Sequence, residues 1–451
     1  MQLYDEFITV NLPASIHELS RLVAIPSVSA LQQQQTECAL LVKNMLEKRG
    51  FQAELLGEGA APVVLGERRG KVDKTLLIYN HYDVQPAEPL ELWNSPPFEA
   101  SERGGVLYGR GVNDDKGHFV SRLHAIDALL SVDGELPCNV KWVLEGEEET
   151  TSQTLGEVVH AQPQKFSADA CIWEFGEVDE QDRPIEYLGL RGICYVEFSV
   201  ETANQDMHSG VGGSIMPNAA WRLVWALASL KDPRERILIP GFYDRVKPVS
   251  ATTRELLEAI PDQAEALKAQ YGISSFLKGL TRGADLRHAG AHEPSCTICG
   301  INTGYQGPGA KTVQPARATA KVDFRLVPDQ NPMEIFKLLR AHLDHNGFED
   351  VKVELLAHER PAVTDPDHPF VRMVVESARD VYGSPMLIIP SIGGSGPNAI
   401  FKDYFDFPIV TAGVGHPTMQ AHAPNENLRL DLFEKGAKHI VRIMKAFASS
   451  H

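Results

Sequence analysis

The stretch Thr75-Leu-Leu-Ile-Tyr-Asn-His81-Tyr-Asp83 decides the fold. Its first five residues form a short apolar run, the pattern of a strand buried on both faces. Further along, Val140-Lys-Trp-Val-Leu144 repeats that pattern. Residues 13–50 place Leu19, Leu22 and Val23, then Leu40, Leu41, Val42, Met45 and Leu46, at helical spacing and end at Gly50. Residues 117–132 read as another amphipathic helix. Strands alternating with helices predict an α/β sheet covered on both faces.

The pattern changes near Gly189-Leu-Arg-Gly192. Cys194-Tyr-Val-Glu-Phe-Ser-Val200 alternates as a half-exposed strand does. A helix over 217–230, a polar, helix-leaning stretch over 251–285, strands over 295–304 and 317–327, a helix over 332–346 and a strand near 351–357 make an α+β unit. The stretch Pro361 to Pro369, with its three prolines, reads as a linker. A helix at 369–382 and apolar runs at 386–390 and 407–412 read as a return to the first domain, so one domain is inserted into another. No internal repeat is present.

A chain of 451 residues exceeds one hydrophobic core, which agrees with two domains. The net charge of −17 disfavours nucleic acid and anionic membranes as partners. No apolar run approaches the length of a membrane span, and the N-terminal residues lack the pattern of a secretory signal. Of the six cysteines only Cys296 and Cys299 are close, as a lone C-x-x-C, and reduced thiols in a cytoplasmic protein are expected.

Five polar clusters follow predicted strands or turns. His81 stands directly after the first apolar run, where parallel sheets place ligand sites, and Asp83 could orient its imidazole. A strand-end histidine alone is commonly structural. In Tyr108-Gly-Arg-Gly-Val-Asn-Asp114-Asp115-Lys-Gly117 an aspartate on a glycine-rich turn could bridge two cations or simply cap the next helix. Glu145-Gly-Glu147-Glu148-Glu149 sets four carboxylates in five residues at a strand end, where nearby cations would relieve their repulsion. Ala168-Asp-Ala-Cys-Ile-Trp-Glu174 ends in an acid, and Gln420-Ala-His422-Ala-Pro-Asn-Glu426 adds a late histidine. Together these are the imidazole and carboxylate donors of a two-metal site. There is no H-E-x-x-H helix and no phosphate-binding loop. Gly393-Gly-Ser395-Gly-Pro397 falls one glycine short of a nucleophile elbow and reads as a flexible turn or substrate contact.

In this order, H-x-D, G-R-G-x-x-D-x-K-G, E-G-x-E-E, an acid after a strand and a late His resemble the metallopeptidase family of carnosinases, bacterial dipeptidases, aminoacylases, glutamate carboxypeptidases and succinyl-diaminopimelate desuccinylases. The likeness covers nearly the whole chain. It implies a zinc-exopeptidase-like fold. A mixed, largely parallel sheet with helices on both faces would be built from residues 1–190 and 364–451. An inserted α+β lid and dimerisation domain would span 191–363.

The same likeness implies two divalent metal ions per chain, zinc first, with manganese or cobalt also compatible with such ligands. Asp114 would bridge them, His81 and Glu174 completing one shell and Glu149 and His422 the other. Glu177 is a rival to Glu174. Asp83 would orient His81, and Glu148 would be the general base; Glu147 would be neither base nor ligand. His208, in Asp206-Met-His208-Ser-Gly210, would stabilise an oxyanion in the neighbouring subunit of a homodimer joined through the lid. Thr312 and Arg325 match positions that hold a substrate carboxylate. The implied activity is hydrolysis of dipeptides or short peptides, with N-acyl amino acid deacylase or metallocarboxypeptidase as the alternative, so a small peptide or acylated amino acid is the expected partner. Two departures stand out: Glu at 174, where many dipeptidases carry Asp, and Ser391-Ile392 where Arg-Glu often precedes Gly-Gly-Ser.

Overall fold

The apolar run at 75–79 lies inside the strand Val72–His81, whose residues from Leu76 to His81 are all buried. The computed structural model describes residues 1–150 and 152–450. The chain divides into two compact units.

The first unit comprises Met1–Leu188, Thr364–Pro390 and Ile400–His451. Its six-stranded sheet runs, in spatial order, Gln52–Leu56, Val63–Arg68, Cys138–Glu145, Val72–His81, Ala170–Trp173 and Ile409–Thr411. The last four are mutually parallel, while Val63–Arg68 pairs antiparallel with both of its neighbours. The sheet is thus mixed and largely parallel. Alternate residues feed two separate cores. Leu76, Ile78, Trp142 and Ile172 face the helices Gln2–Val23, Lys116–Asp133 and Leu430–Ser449. Leu77, Tyr79, Val143 and Trp173 face Leu155, Val158 and Phe401. Both faces are covered, which is why the strand sequences are apolar without alternation.

Three local expectations change. The helical stretch at 13–50 is two helices, Gln2–Val23 and Gln35–Glu47, and Pro13 lies inside the first. Between them the chain is drawn into extended pairing, with the Val84 amide donating to Ser27 O and the Ser27 hydroxyl to Tyr82 O. The helix Lys116–Asp133 is not amphipathic: Lys116, His118, Ser121, Arg122 and His124 are buried along with its apolar residues. It lies between the sheet and the two terminal helices, so its polar side faces protein as well. The return at 361–369 is not slack throughout: Ala362–Val363 pairs with Gly189–Leu190.

The second unit comprises Gly189–Val363 and Ser391–Ala399. Its antiparallel sheet has the order Ser295–Thr303, Arg317–Leu326, Gly192–Glu201, Lys352–Glu359. The strand Gly192–Glu201 alternates between buried residues and half-buried ones, ending at the exposed Glu201. Its buried side packs with the helices Ala219–Ala228 and Pro332–His345 to form a third core.

Candidate active site

The parallel strands of the first unit deliver their polar residues at their carboxyl ends. His81 closes the strand Val72–His81, Glu174 follows Ala170–Trp173, and Glu148 and Glu149 follow Cys138–Glu145. Asp114 and Asp115 come from the turn before the helix Lys116–Asp133.

Asp114 stands at the centre. One of its carboxylate oxygens lies 3.1 Å from His81 Nε2 and the other 2.9 Å from His422 Nε2. His422 Nε2 also lies 3.1 Å from Glu149 Oε2. Two donor sets result. His81, Asp115 and Glu174 present ligand atoms within 4.8 Å of one another, as do Asp114, Glu149 and His422. Glu177, the rival to Glu174, is in neither set; its carboxylate accepts from the Tyr187 hydroxyl.

Asp83 works on both sides of this centre. Its Oδ1 is 3.3 Å from His81 Nδ1. The same carboxylate accepts from the Glu148 amide at 3.3 Å and the Glu149 amide at 3.1 Å. The Asp83 carbonyl is also 3.1 Å from His81 Nδ1, so one buried residue lies against the imidazole and its carboxylate pins the turn that carries two glutamates. Glu147 turns away and accepts from the Thr154 amide at 2.8 Å.

Two residues not singled out from the sequence shape the centre. Asp115 occupies the helix N-cap position without making a side-chain capping bond. Its Oδ2 instead accepts from Asn80 Nδ2 at 2.6 Å and from the His81 amide at 3.0 Å. Glu426 is fully buried and pairs with Arg110 at 2.7 Å. It also accepts from the amides of Gly111, Asn113 and Asp114, each at 3.0 Å. That explains the Gly-Arg-Gly turn. Gly111 has φ +81°, where a side chain is strained, and Arg110 neutralises the acid that curls the loop under Asp114. The only sequence signal was a Glu beside His422; the pairing spans 316 residues.

The charges are strongly perturbed. Burial pushes Glu148 up to about 8, helped by Glu149, Asp114 and Asp83 and opposed by His81. Burial likewise raises Glu145 to about 8 and Asp115 to about 7. For Glu174, burial and then Glu148 push the carboxyl well above its usual range. Burial opposes ionisation of Asp114, but the bonds from His422 and His81 overcome it and hold the carboxyl low. His422 is raised to about 10 by Asp114 and Glu149.

Such a cluster fits divalent cations. Asp115 Oδ1 and Glu174 Oε2 are buried without a hydrogen-bond partner, an expensive condition for carboxylates. Imidazole and carboxylate are the donors that zinc and manganese take. The cysteines fall outside both sets: none of the six forms a disulfide, and only Cys299 is exposed.

In the second unit the expected substrate residues form two pairs. His208 and Thr312 meet where the short strands Met207–His208 and Val313–Gln314 pair, with Thr312 Oγ1 3.3 Å from His208 Nε2. Arg325 Nη1 donates to Ser395 Oγ at 2.9 Å, and its Nε to Asp323 at 3.1 Å. The backbone around Ser395 is held as well, since the Arg191 amide donates to Gly394 O and the Ile392 amide to Gly189 O.

Acids and imidazoles gathered at the ends of parallel strands, with carboxyls of raised pKa among them, define a hydrolase of the metallopeptidase type. The family model for peptidase family M20/M25/M40 matches residues 77–446, and the chain belongs to that family. It is 31% identical over 472 residues to the Cys-Gly metallodipeptidase dug1 of Schizosaccharomyces pombe, covering 99% of this chain and 96% of that one. Among solved structures it resembles an M20 family metallo-carboxypeptidase, Sso-CP2 from Sulfolobus solfataricus, at a TM-score of 0.88 and 36% identity, covering 96% and 99% of the two chains. It resembles human carnosine dipeptidase 1 at a TM-score of 0.77 and 26% identity, covering 99% and 98%. The chain is therefore a hydrolase acting on peptide or amide bonds.

Proposed function

We propose that the protein is a metal-dependent peptidase that cleaves dipeptides or short peptides. The observation that carries this reading is the Asp114 carboxylate, with one oxygen at His81 and the other at His422. In this reading His81, Asp114 and Glu174 hold one divalent ion and Asp114, Glu149 and His422 the other, with zinc the first choice and manganese or cobalt compatible. When bound, the ions polarise the scissile carbonyl and lower the pKa of water. Glu148 takes the proton from the attacking water and delivers it to the leaving amine. With the cations offsetting the burial and acidic neighbours that raise its pKa in the unloaded chain, a carboxylate can serve both transfers near neutral pH. Asp83 fixes the orientation of His81. Arg325, braced by Asp323 and Ser395, forks onto the substrate carboxylate. His208, steadied by Thr312, donates to the oxyanion.

In the same reading the first unit is catalytic and the second is a lid that also joins two chains. What supports a homodimer is an uncovered apolar surface. The helix Ala219–Ala228 exposes the stacked Trp221 and Trp225, and the edge strand Ser295–Thr303 exposes Ile298 and Ile301. Unpaired cysteines agree with a cytoplasmic protein, and among the described residues no helix is long and apolar enough to cross a membrane.

A second reading, release of a C-terminal residue from longer or N-blocked peptides, has its own support in the likeness to the Sulfolobus carboxypeptidase. The test is hydrolysis of free dipeptides, N-blocked dipeptides and N-acetyl amino acids after zinc or manganese loading, beside a chelated control. Chelator-sensitive cleavage confined to free dipeptides is expected. Preference for the N-blocked dipeptides would move the assignment to a carboxypeptidase, and chelator-resistant turnover would sink the metal-dependent reading.

A further inference from the structure

The helix Lys116–Asp133 carries a buried cation that the proposed chemistry does not use. Arg122 is 1% exposed, and its partners are carbonyl oxygens and one side-chain amide. Nη1 donates to Tyr79 O and to Asn80 Oδ1, both at 3.0 Å. Nη2 donates to Trp173 O, to Glu174 O at 2.7 Å and to Ala412 O at 3.0 Å. Those carbonyls lie at the carboxyl ends of three adjacent parallel strands, Val72–His81, Ala170–Trp173 and Ile409–Thr411. Two of those strand ends supply His81 and Glu174.

Asn80 extends the clamp. Its Oδ1 accepts from Arg122 and from Trp142 Nε1, each at 3.0 Å. That fixes the amide so that Nδ2 donates to Asp115 at 2.6 Å. One guanidinium therefore reaches all three members of one donor set: Glu174 through its own carbonyl, Asp115 through Asn80, and His81 through the strand it ends. Burying a guanidinium is costly, and a leucine or methionine would fill the space without that cost. A planar fork that ties several strand ends at once is what only arginine supplies.

We propose that Arg122 is the positioning residue for one half of the metal centre, holding His81 and Glu174, which share one cation with Asp114, and the Asp115 carboxylate packed beside them. The proposal rests on the two-cation reading above. The other half depends on different supports: Glu149 follows the strand Cys138–Glu145 and is pinned by Asp83, and His422 comes from the loop before Glu426. Arg122 touches neither. Its loss should therefore be felt at one ion and not at the other.

The test uses the full chain, stripped by chelator and reloaded with zinc. Elemental analysis gives ions per chain, and chelator competition gives the affinity of each. Wild type is expected to hold two ions. Arg122→Met should weaken one of them about 10–100-fold, the usual effect of losing a group that orients ligands, and leave the other unchanged. Arg122→Lys keeps the charge without the fork, should fall between, and decides the matter if Arg122→Met does not fold. Arg122→Met added to Glu174→Ala should change little more, whereas added to His422→Ala its effect should be independent. Equal weakening of both ions, or intact affinities with only a lower melting temperature, would make Arg122 a brace of the fold and overturn the proposal. A wild-type chain that retains no ion would sink the two-cation reading itself, and the proposal with it.

Discussion

At position 148 a half-buried carboxyl faces Glu149, Asp114 and Asp83, and together with burial they disfavour its ionisation. Bound cations would reverse that balance and leave a base poised beside the scissile bond. Replacing Glu148 by Gln keeps the shape and removes the proton acceptor. Turnover should fall about 10²–10⁴-fold while two ions per chain remain, read from kcat and metal analysis on the same sample. A variant that keeps most of its activity would remove Glu148 from the base role. His81, Asp114, Glu149 and Glu174 stand near an apolar run or a glycine-rich turn, but the choice among neighbouring acids, and of His422, came from the resemblance to the metallopeptidase family. Asp115 and Glu426 could not be singled out, because their importance lies in the backbone amides they accept from, and amides have no signature in a side-chain pattern.

The loop Arg110–Asp114 and the strand ends answer to different forces. The loop is held by Glu426, which pairs with Arg110 and takes three amides. Glu426→Ala would leave Arg110 buried without its partner, and the stability cost should be about 3–5 kcal/mol in denaturant unfolding. A cost below about 1 kcal/mol, the level of an exposed pair, would mean that the loop is held by other contacts. The strand ends gather acids whose pKa values are raised in the fold. Such an acid binds more protons folded than unfolded, so stability falls as pH rises from its unfolded value to its folded one. For Glu145 and Glu148 that window runs up to about 8. His422, raised to about 10, acts in the same direction at higher pH. Asp114, held low, has the opposite sign but only in acid. Below about 6.5 the buried His118, His292 and His439, held low by burial, act in the opposite sense, so chelated protein should melt progressively lower as pH is raised from about 6.5 to about 8, where the raised folded-state acids lose their protons. Metal-loaded protein should fall less, because the ions hold their own ligands, Glu174 and His422 among them, deprotonated. Melting curves of both forms across that range check this, and a chelated melting temperature that climbs with pH would contradict it.

For the whole molecule the question is how many chains complete one site. His208 is exposed and belongs to the second unit. If it serves the partner chain of a homodimer, His208→Ala should lower turnover without loss of metal. Mixing it with Glu148→Gln should restore part of the activity, since one hybrid site would then be intact. No recovery on mixing, with subunit exchange shown separately, would mean that each site is completed within its own chain. The exposed tryptophans offer a second check. Trp225→Glu places a charge on the apolar face of the helix Ala219–Ala228 and should shift the chain to monomer in sedimentation. An unchanged sedimentation coefficient would move the interface elsewhere.

Periodicity in the sequence by itself determined the layered α/β sheet and a half-exposed strand over 194–200, and the polar residues that follow the apolar runs and turns marked an acid- and histidine-rich centre. Apolar runs, alternation and strand-end polar residues are local patterns, and burial acts on them locally. The tertiary structure alone decided what lies far apart in sequence. It set Arg110 on Glu426 and drew Ser391–Ala399 into the second unit. It also turned the polar side of the helix Lys116–Asp133 inward, where a sequence pattern reads only an amphipathic helix. Hydrogen bonds to backbone carbonyls and amides carry no residue identity. A buried arginine at 122 therefore looks like a surface one until the three strands that it ties are in place.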